Sequence, residues 1–293
     1  MEGADPFILV HDNKYYLYFT KEKDGFKVYE SSDLEHWEDK GYALKRGEGV
    51  IGEKGFWAPE ILFENGVFYM VYVTDEHLAI ATSRSPLGPF KQPCLEYLDE
   101  NNMIDGHFYK DDDGQVYLYF VRFDHGNIIH VAKMNKDLLS FDKDGEKFLL
   151  KAEAPWETVT EYSVCEGPFV LKHNGRYYLS YSCNHTQDPS YAIGYAVSDS
   201  PMGPFIKYEG NPILHKTELV NGVGHHSFFY RYDDGQLMCV YHRHYSKTQN
   251  YPRQVCLDEA CFKDDVLIIN GPTYWLLRVV ITKSLLAVQL FIW

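Results

Sequence analysis

The stretch Ser163-Val164-Cys165-Glu166-Gly167-Pro168-Phe169-Val170-Leu171 sets an acidic residue just before an apolar run, and His173-Asn174-Gly175 then leads into Arg176-Tyr177-Tyr178-Leu179-Ser180-Tyr181. Two β-rich runs joined across Asn-Gly read as a β-hairpin. A core needs no carboxylate at the mouth of a hairpin. A site shared by several hairpins, each aiming its first residues inward, does.

Four further segments match the second half of that hairpin. They are Lys14-Tyr15-Tyr16-Leu17-Tyr18-Phe19, Val67-Phe68-Tyr69-Met70-Val71-Tyr72, Gln115-Val116-Tyr117-Leu118-Tyr119-Phe120 and Gln236-Leu237-Met238-Cys239-Val240-Tyr241. The five starts lie 53, 48, 61 and 60 residues apart. Each segment follows a turn, and each turn follows an apolar strand such as Phe7-Ile8-Leu9-Val10. A third strand comes next, as in Phe26 to Asp33 and Tyr191 to Ser198. Two of these run into near-identical turns, Ser85-Pro86-Leu87-Gly88-Pro89-Phe90 and Ser200-Pro201-Met202-Gly203-Pro204-Phe205. With a fourth strand carrying the chain outward, the period predicts an all-β, five-bladed β-propeller of about four antiparallel strands per blade. No intervening stretch keeps a helical period, and the regular phasing argues against two stacked sandwiches. One catalytic domain is expected over 1–275, followed by an apolar tail over 276–293 that Arg278, Lys283 and Gln289 break too often for a membrane span.

Composition agrees with strands. Aromatics make up 16% of the 293 residues, with 24 Tyr and 18 Phe. Ring faces also pack on the C–H surfaces of sugars. The formal charge of −14, from 42 Asp plus Glu against 28 Lys plus Arg, argues against nucleic acid or an anionic membrane as partner. The six cysteines have no metal or redox spacing and mostly sit in apolar runs, which predicts buried free thiols and favours a reducing compartment. No targeting signal is visible, so the expected location is the cytoplasm, or outside the cell with a leader absent from this chain.

In a propeller the innermost strands converge on a central channel. Reading back from the turns places Asp5, Trp57-Ala58-Pro59-Glu60, Asp105, Glu166 and the pair His225-His226 at the five mouths, with three carboxylates expected at one phase. Asp before Pro or Gly is by itself a common turn signal. Three together on one ring suit glycoside hydrolysis, where one carboxyl donates a proton to the leaving oxygen and another, ionised, activates water or attacks carbon. A third nearby carboxylate raises the pKa of the acid by like-charge repulsion.

Taken in order, Ala4-Asp5-Pro6-Phe7, Phe56-Trp57-Ala58-Pro59-Glu60, Ile104-Asp105-Gly106, Cys165-Glu166-Gly167-Pro168 and Gly224-His225-His226-Ser227 resemble the motifs of glycoside hydrolase family 43. The resemblance runs from Asp5 to about Pro272. It implies a five-bladed propeller acting with inversion on arabinose- and xylose-containing plant cell-wall glycans. Asp5 would be the general base, Asp105 the pKa modulator and Glu166 the general acid, with roughly 6.5–9.5 Å between the Asp5 and Glu166 carboxyls to admit a water. The Gly-His-x-Ser motif places His225 at a central cation, usually calcium and largely ligated by water, whereas counting back from the turns places His226 in phase. No organic cofactor is implied. Trp57 would be a sugar platform or channel wall, Arg243 a holder of sugar hydroxyls at the fifth mouth, and His107 a weaker substrate-binding candidate.

The expected activity is release of terminal α-L-arabinofuranose from arabinan or arabinoxylan side chains, with β-xylosidase or endo-arabinanase action as alternatives. A retaining, fructan-processing relative is disfavoured, because its motif carries Cys after the catalytic Glu whereas Cys165 here precedes Glu166. A sugar-binding propeller with a decayed site is the non-enzyme alternative. Only four residues precede Asp5, which predicts a weakly anchored first strand.

Overall fold

The computed structural model describes residues 1–273, so the expected tail over 276–293 lies outside the described residues. The strands form five sheets ordered like the repeats, and there is no helix among the described residues. The first blade contains β1 (Ala4–His11), β2 (Lys14–Thr20), β3 (Gly25–Ser31) and β4 (Glu38–Lys45). The second contains β5 (Trp57–Glu64), β6 (Val67–Thr74) and β7 (His77–Ser83), with a single Thr82–Lys91 bridge where a fourth strand would lie. The third contains β8 (Met103–Lys110), β9 (Val116–Phe123), β10 (Asn127–Lys133) and β11 (Lys147–Leu150). The fourth contains β12 (Cys165–His173), β13 (Arg176–Cys183), β14 (Ala192–Ser198) and the short β15 (Ile206–Lys207). The fifth contains β16 (Gly224–Tyr230), β17 (Leu237–Arg243), β18 (Gln254–Lys263) and β19 (Val266–Ile269). Pairing is antiparallel throughout each blade. The protein is a five-bladed β-propeller.

The second strand of each blade reads as a continuous apolar run because neighbouring blades cover both of its faces. The core therefore lies in the wedges between sheets. Tyr18, Phe26 and Phe56 pack with Tyr72 between the first two blades, and Leu17 and Trp37 pack with Met238 and Val240 between the first and fifth. The two near-identical turns have matching partners: the Tyr18 hydroxyl donates to Pro86 O, and the Tyr119 hydroxyl to Pro201 O. Each turn is thus held by the second strand of the preceding blade. The tight hairpins behave as their residues require. Asp12 and Asn13, Asn65 and Gly66, and Asn174 and Gly175 all take positive φ, as a two-residue type I′ turn demands.

Met1 to Gly3 are tied to the fifth blade. The Gly3 N–H donates to Arg253 O at 2.9 Å, the Val255 N–H donates to Met1 O at 2.9 Å, and Glu2 bridges Gln254. These residues cover the half of the β18 edge that β19 leaves open, since β19 pairs only with Ala260 to Lys263. The first strand, expected to be weakly anchored, is therefore clasped to the last blade.

Candidate active site

Every innermost strand carries a bulge at its mouth end. Register shifts fall between Ala4 and Phe7, Trp57 and Glu60, Ile104 and His107, Glu166 and Phe169, and Gly224 and Ser227. A bulge sets two residues against one and re-aims the side chain beside it. The first bulged residue takes left-handed φ in each blade: Asp5 at 50°, Ala58 at 45°, Asp105 at 55°, Gly167 at 56° and His225 at 46°. Four of these are not glycine, a strain on the order of 1–3 kcal/mol each that the surrounding structure must hold.

This register corrects the expected phase. Asp5, Asp105 and His225 are equivalent, but Glu166 lies one residue earlier, level with Trp57. It also separates the two histidines of the pair. His225 occupies the left-handed position with Nδ1 at 3.4 Å from Asp5 Oδ1 and 3.9 Å from Asp105 Oδ2. His226 turns into the channel wall, where Nε2 meets Ser180 Oγ at 2.7 Å, and burial with the neighbouring His225 lowers its pKa to about 3.

The bulges free backbone N–H groups, and side chains of the adjoining blade capture them. Ala58 N–H donates to Thr20 Oγ1 at 2.9 Å, Gly167 N–H to Asp105 Oδ2 at 3.1 Å, His225 N–H to Ser182 Oγ at 2.8 Å, and Asp5 N–H to His242 Nδ1 at 3.2 Å. Asp105 thereby grips the residue after Glu166. His242 accepts at Nδ1 and is therefore neutral, in keeping with burial and the Arg253 charge, which hold its pKa well below that of free histidine.

The three carboxyls are buried, with 8%, 8% and 9% exposure for Asp5, Asp105 and Glu166, yet their charge states diverge. Burial pushes Asp5 up, but Arg253 and then His225 outweigh it and hold the carboxyl well below the usual carboxylate range. Arg253 Nη1 donates to Asp5 Oδ1 at 3.3 Å and to Thr186 Oγ1 at 3.0 Å. Among the described residues no cationic side chain pairs with Glu166. Its Oε1 accepts from the Tyr191 hydroxyl at 2.9 Å and its Oε2 from Asn127 Nδ2 at 2.8 Å. Burial, then the charge of Asp105, push its pKa up to about 7. Asp105 is itself raised by burial, while His225 and the Gly167 N–H favour its ionised form. Burial pulls His225 down, but Asp5, Asp105 and Glu166 together raise it above free imidazole. The arrangement holds one carboxylate ionised and one carboxyl ready to donate at neutral pH, with Asp105 close enough to act on both.

The other expected residues fall in different places. Trp57 stands at the second mouth with 40% of its surface exposed. His107 lies within the channel wall: Nδ1 bonds Glu60 Oε1 at 2.8 Å and Nε2 accepts the Val170 N–H at 3.0 Å, linking three blades. Arg243 is buried at 4% exposure and donates to Gln254 Oε1 at 3.0 Å and His244 O at 3.3 Å. The arginine brought to Asp5 is Arg253. Sequence reasoning missed Arg253, His242, Asn127 and Tyr191, none of which lies in an inner-strand motif. Arg253's only signal is a lone basic residue just before a third strand. Among the described residues no group of three or more His, Cys, Asp or Glu side chains is arranged to ligate a metal ion.

Known proteins place these observations. Residues 1–267 match the model for glycosyl hydrolases family 43. The fold aligns with an endo-1,4-β-xylanase from Bacteroides thetaiotaomicron at a TM-score of 0.89 and 39% identity, covering 93% of this chain and 95% of that one. The chain is 27% identical over 295 residues to a β-D-galactofuranosidase of Aspergillus niger, covering 91% of this chain and 82% of that protein. It is 27% identical over 283 residues to an arabinoxylan arabinofuranohydrolase of Paenibacillus polymyxa, covering 78% of this chain and 43% of that protein. The protein belongs to glycoside hydrolase family 43.

Proposed function

We propose that the protein is an inverting glycoside hydrolase that releases terminal α-L-arabinofuranose from arabinan or arabinoxylan side chains. The observation that carries this reading is the divergence of two buried carboxyls: Asp5 held ionised by Arg253, and Glu166 raised to about 7 by burial and Asp105. Asp5 then takes a proton from water as that water attacks the anomeric carbon, and Glu166 gives its proton to the departing oxygen. Asp105 supplies the charge that keeps Glu166 protonated and, through the Gly167 N–H, fixes the turn that carries it. Trp57 offers an exposed ring face to the sugar.

The choice of sugar is supported by two relatives with furanosidase names, and α-L-arabinofuranose and β-D-galactofuranose share the same ring configuration. The xylanase relative at 39% identity favours a second reading, action on β-xylosides by the same groups. A calcium ion beside His225 belongs to the proposal: the acidic surroundings suit a hard cation, and water would supply most of its oxygen ligands. When bound, it would add a fixed positive charge next to Asp5 and Asp105. Loss of activity in EDTA, restored by calcium, is the expected behaviour.

The test is hydrolysis of aryl α-L-arabinofuranoside and aryl β-D-xyloside side by side, with Glu166→Gln as control. Arabinoside turnover that the control loses, with NMR detecting first the anomer opposite to the substrate, supports the reading. Xyloside turnover alone replaces the sugar and keeps the mechanism. Retention of configuration removes the assigned role of Asp5.

A further inference from the structure

A general acid is useful only if its proton sits on the oxygen that faces the substrate, and the two oxygens of Glu166 have unlike surroundings. The active-site pocket of about 470 Å³ in front of Glu166 is lined by Asn127, whose Nδ2 donates to Oε2 at 2.8 Å. Tyr191, whose hydroxyl meets Oε1 at 2.9 Å, does not line it. Oε2 therefore stands on the pocket side and Oε1 on the interior side. Tyr191 is fully buried, and among the described residues Oε1 is the sole hydrogen-bond partner of its hydroxyl.

A phenol hydroxyl can donate or accept, so two proton arrangements compete. In the first, Tyr191 donates to Oε1 and the carboxyl proton lies on Oε2, pointing into the pocket. In the second, Oε1 carries the proton and gives it to Tyr191 Oη, which leaves the phenol proton buried with no acceptor. A stranded buried donor disfavours the second arrangement on the order of tenfold to a hundredfold. Burial and the Glu166 charge raise the phenol pKa well above that of free tyrosine, so the proton that makes this choice is always present. The ring is also held in place. It stacks on the His242 imidazole at 5.7 Å and 15°, and on its other contact a Cβ at Gly224 would lie 2.2 Å from it. Its backbone is pinned by the Tyr191 N–H, which donates to Asp188 O at 3.1 Å, and by Asn184 Nδ2, which donates to the preceding Ser190 O at 3.0 Å.

We infer that Tyr191 is a positioning residue for the acid: by occupying Oε1 as a donor it directs the Glu166 proton onto Oε2, the oxygen that meets the leaving group. The inference rests on the glycosidase reading. In the step itself the Oε2–H bond breaks, the proton joins the glycosidic oxygen, and that oxygen leaves with the electron pair of its bond to the anomeric carbon. The carboxylate left behind keeps both donors, Tyr191 and Asn127, so nothing has to reorganise.

The test is Tyr191→Phe, which keeps the ring between Gly224 and His242 and removes only the hydroxyl. kcat/KM is measured on 1,5-α-L-arabinobiose or 1,4-β-D-xylobiose, whose leaving sugar needs a proton, and on the 2,4-dinitrophenyl glycoside of the same sugar, whose phenolate departs without one. General acids supply roughly 10²–10⁴-fold, and the variant should lose on the order of thirtyfold on the disaccharide and less than about threefold on the dinitrophenyl glycoside. The basic limb of the disaccharide profile should also move to higher pH, because the phenol favours ionised Glu166. Equal losses on the two substrates, no loss on the disaccharide, or an unmoved basic limb overturns the role of Tyr191 and leaves the glycosidase reading standing. Disaccharide turnover that survives Glu166→Gln, or its absence in the unaltered protein, overturns the acid assignment and this inference together.

Discussion

Replacing Arg253 by Met tests the electrostatics of the site most directly, because it removes a charge with little change in side-chain length. Its Nη1 lies 3.3 Å from Asp5 Oδ1, and the two side chains are 15% and 8% exposed. Two unit charges at that distance attract by about 5 kcal/mol at an effective dielectric constant of about 20, and by about 1.3 kcal/mol in bulk water. At about 1.4 kcal/mol per pKa unit, the span is roughly 1 to 3.5 units. A carboxylate beside an arginine typically drops by about 1–3 units, and His225 still faces Asp5 after the change, so we expect a rise of about 1–2 units. The sign follows from the charge: arginine favours ionised Asp5, so its loss means that the base is protonated at higher pH. The acid limb of kcat/KM against pH reports the base in the free enzyme. It should move up toward the ordinary carboxylate range near pH 4, while Arg253→Lys keeps it close to its original position. Any loss of sugar binding lowers the whole curve without moving its midpoint. An unmoved acid limb in Arg253→Met, with activity remaining, would refute the assignment of Asp5 as the base held ionised by Arg253.

Three further outcomes follow from the same contacts. Asp105→Asn removes a like charge from beside Glu166, so the basic limb, expected near pH 7 in the unaltered protein, moves to lower pH by on the order of one unit; a pH profile of kcat/KM reads it. Asn184→Ala strands the Val159 N–H and the Trp156 and Ser190 carbonyls and should cost about 1–3 kcal/mol, seen as a lower urea midpoint at unchanged slope. With a thiol reagent Cys94, which is exposed, reacts first, whereas Cys165, Cys183, Cys239 and Cys256 are buried and react only on unfolding.

The fold was legible because a propeller writes itself in two places. Second strands covered on both faces become unbroken apolar runs, and two-residue turns that need left-handed φ select Asn and Gly. The carboxylates were legible because each stands just ahead of the apolar run of an inner strand. Their phase was not: a bulge of two residues opposite one leaves no mark in composition, and the one-residue offset of Glu166 appears only in the strand register. Nor could alternation decide within Tyr241-His242-Arg243-His244, where every residue is buried. Sequence reasoning chose Arg243 there, while His242 meets Asp5 and the mouth arginine, Arg253, stands just ahead of the next strand.

The clasp between Met1–Gly3 and the β18 edge also bears on when activity can appear. Asp5 and Arg253 are 248 residues apart in the chain, so their contact closes nearly the whole ring. Contacts of such long sequence separation are entropically slow to form. During synthesis the first four blades can pair internally while Asp5 still lacks both Arg253 and His242. Asp5 acquires its charge state only as the fifth blade docks, so on the proposed reading catalytic competence is a late reporter of folding.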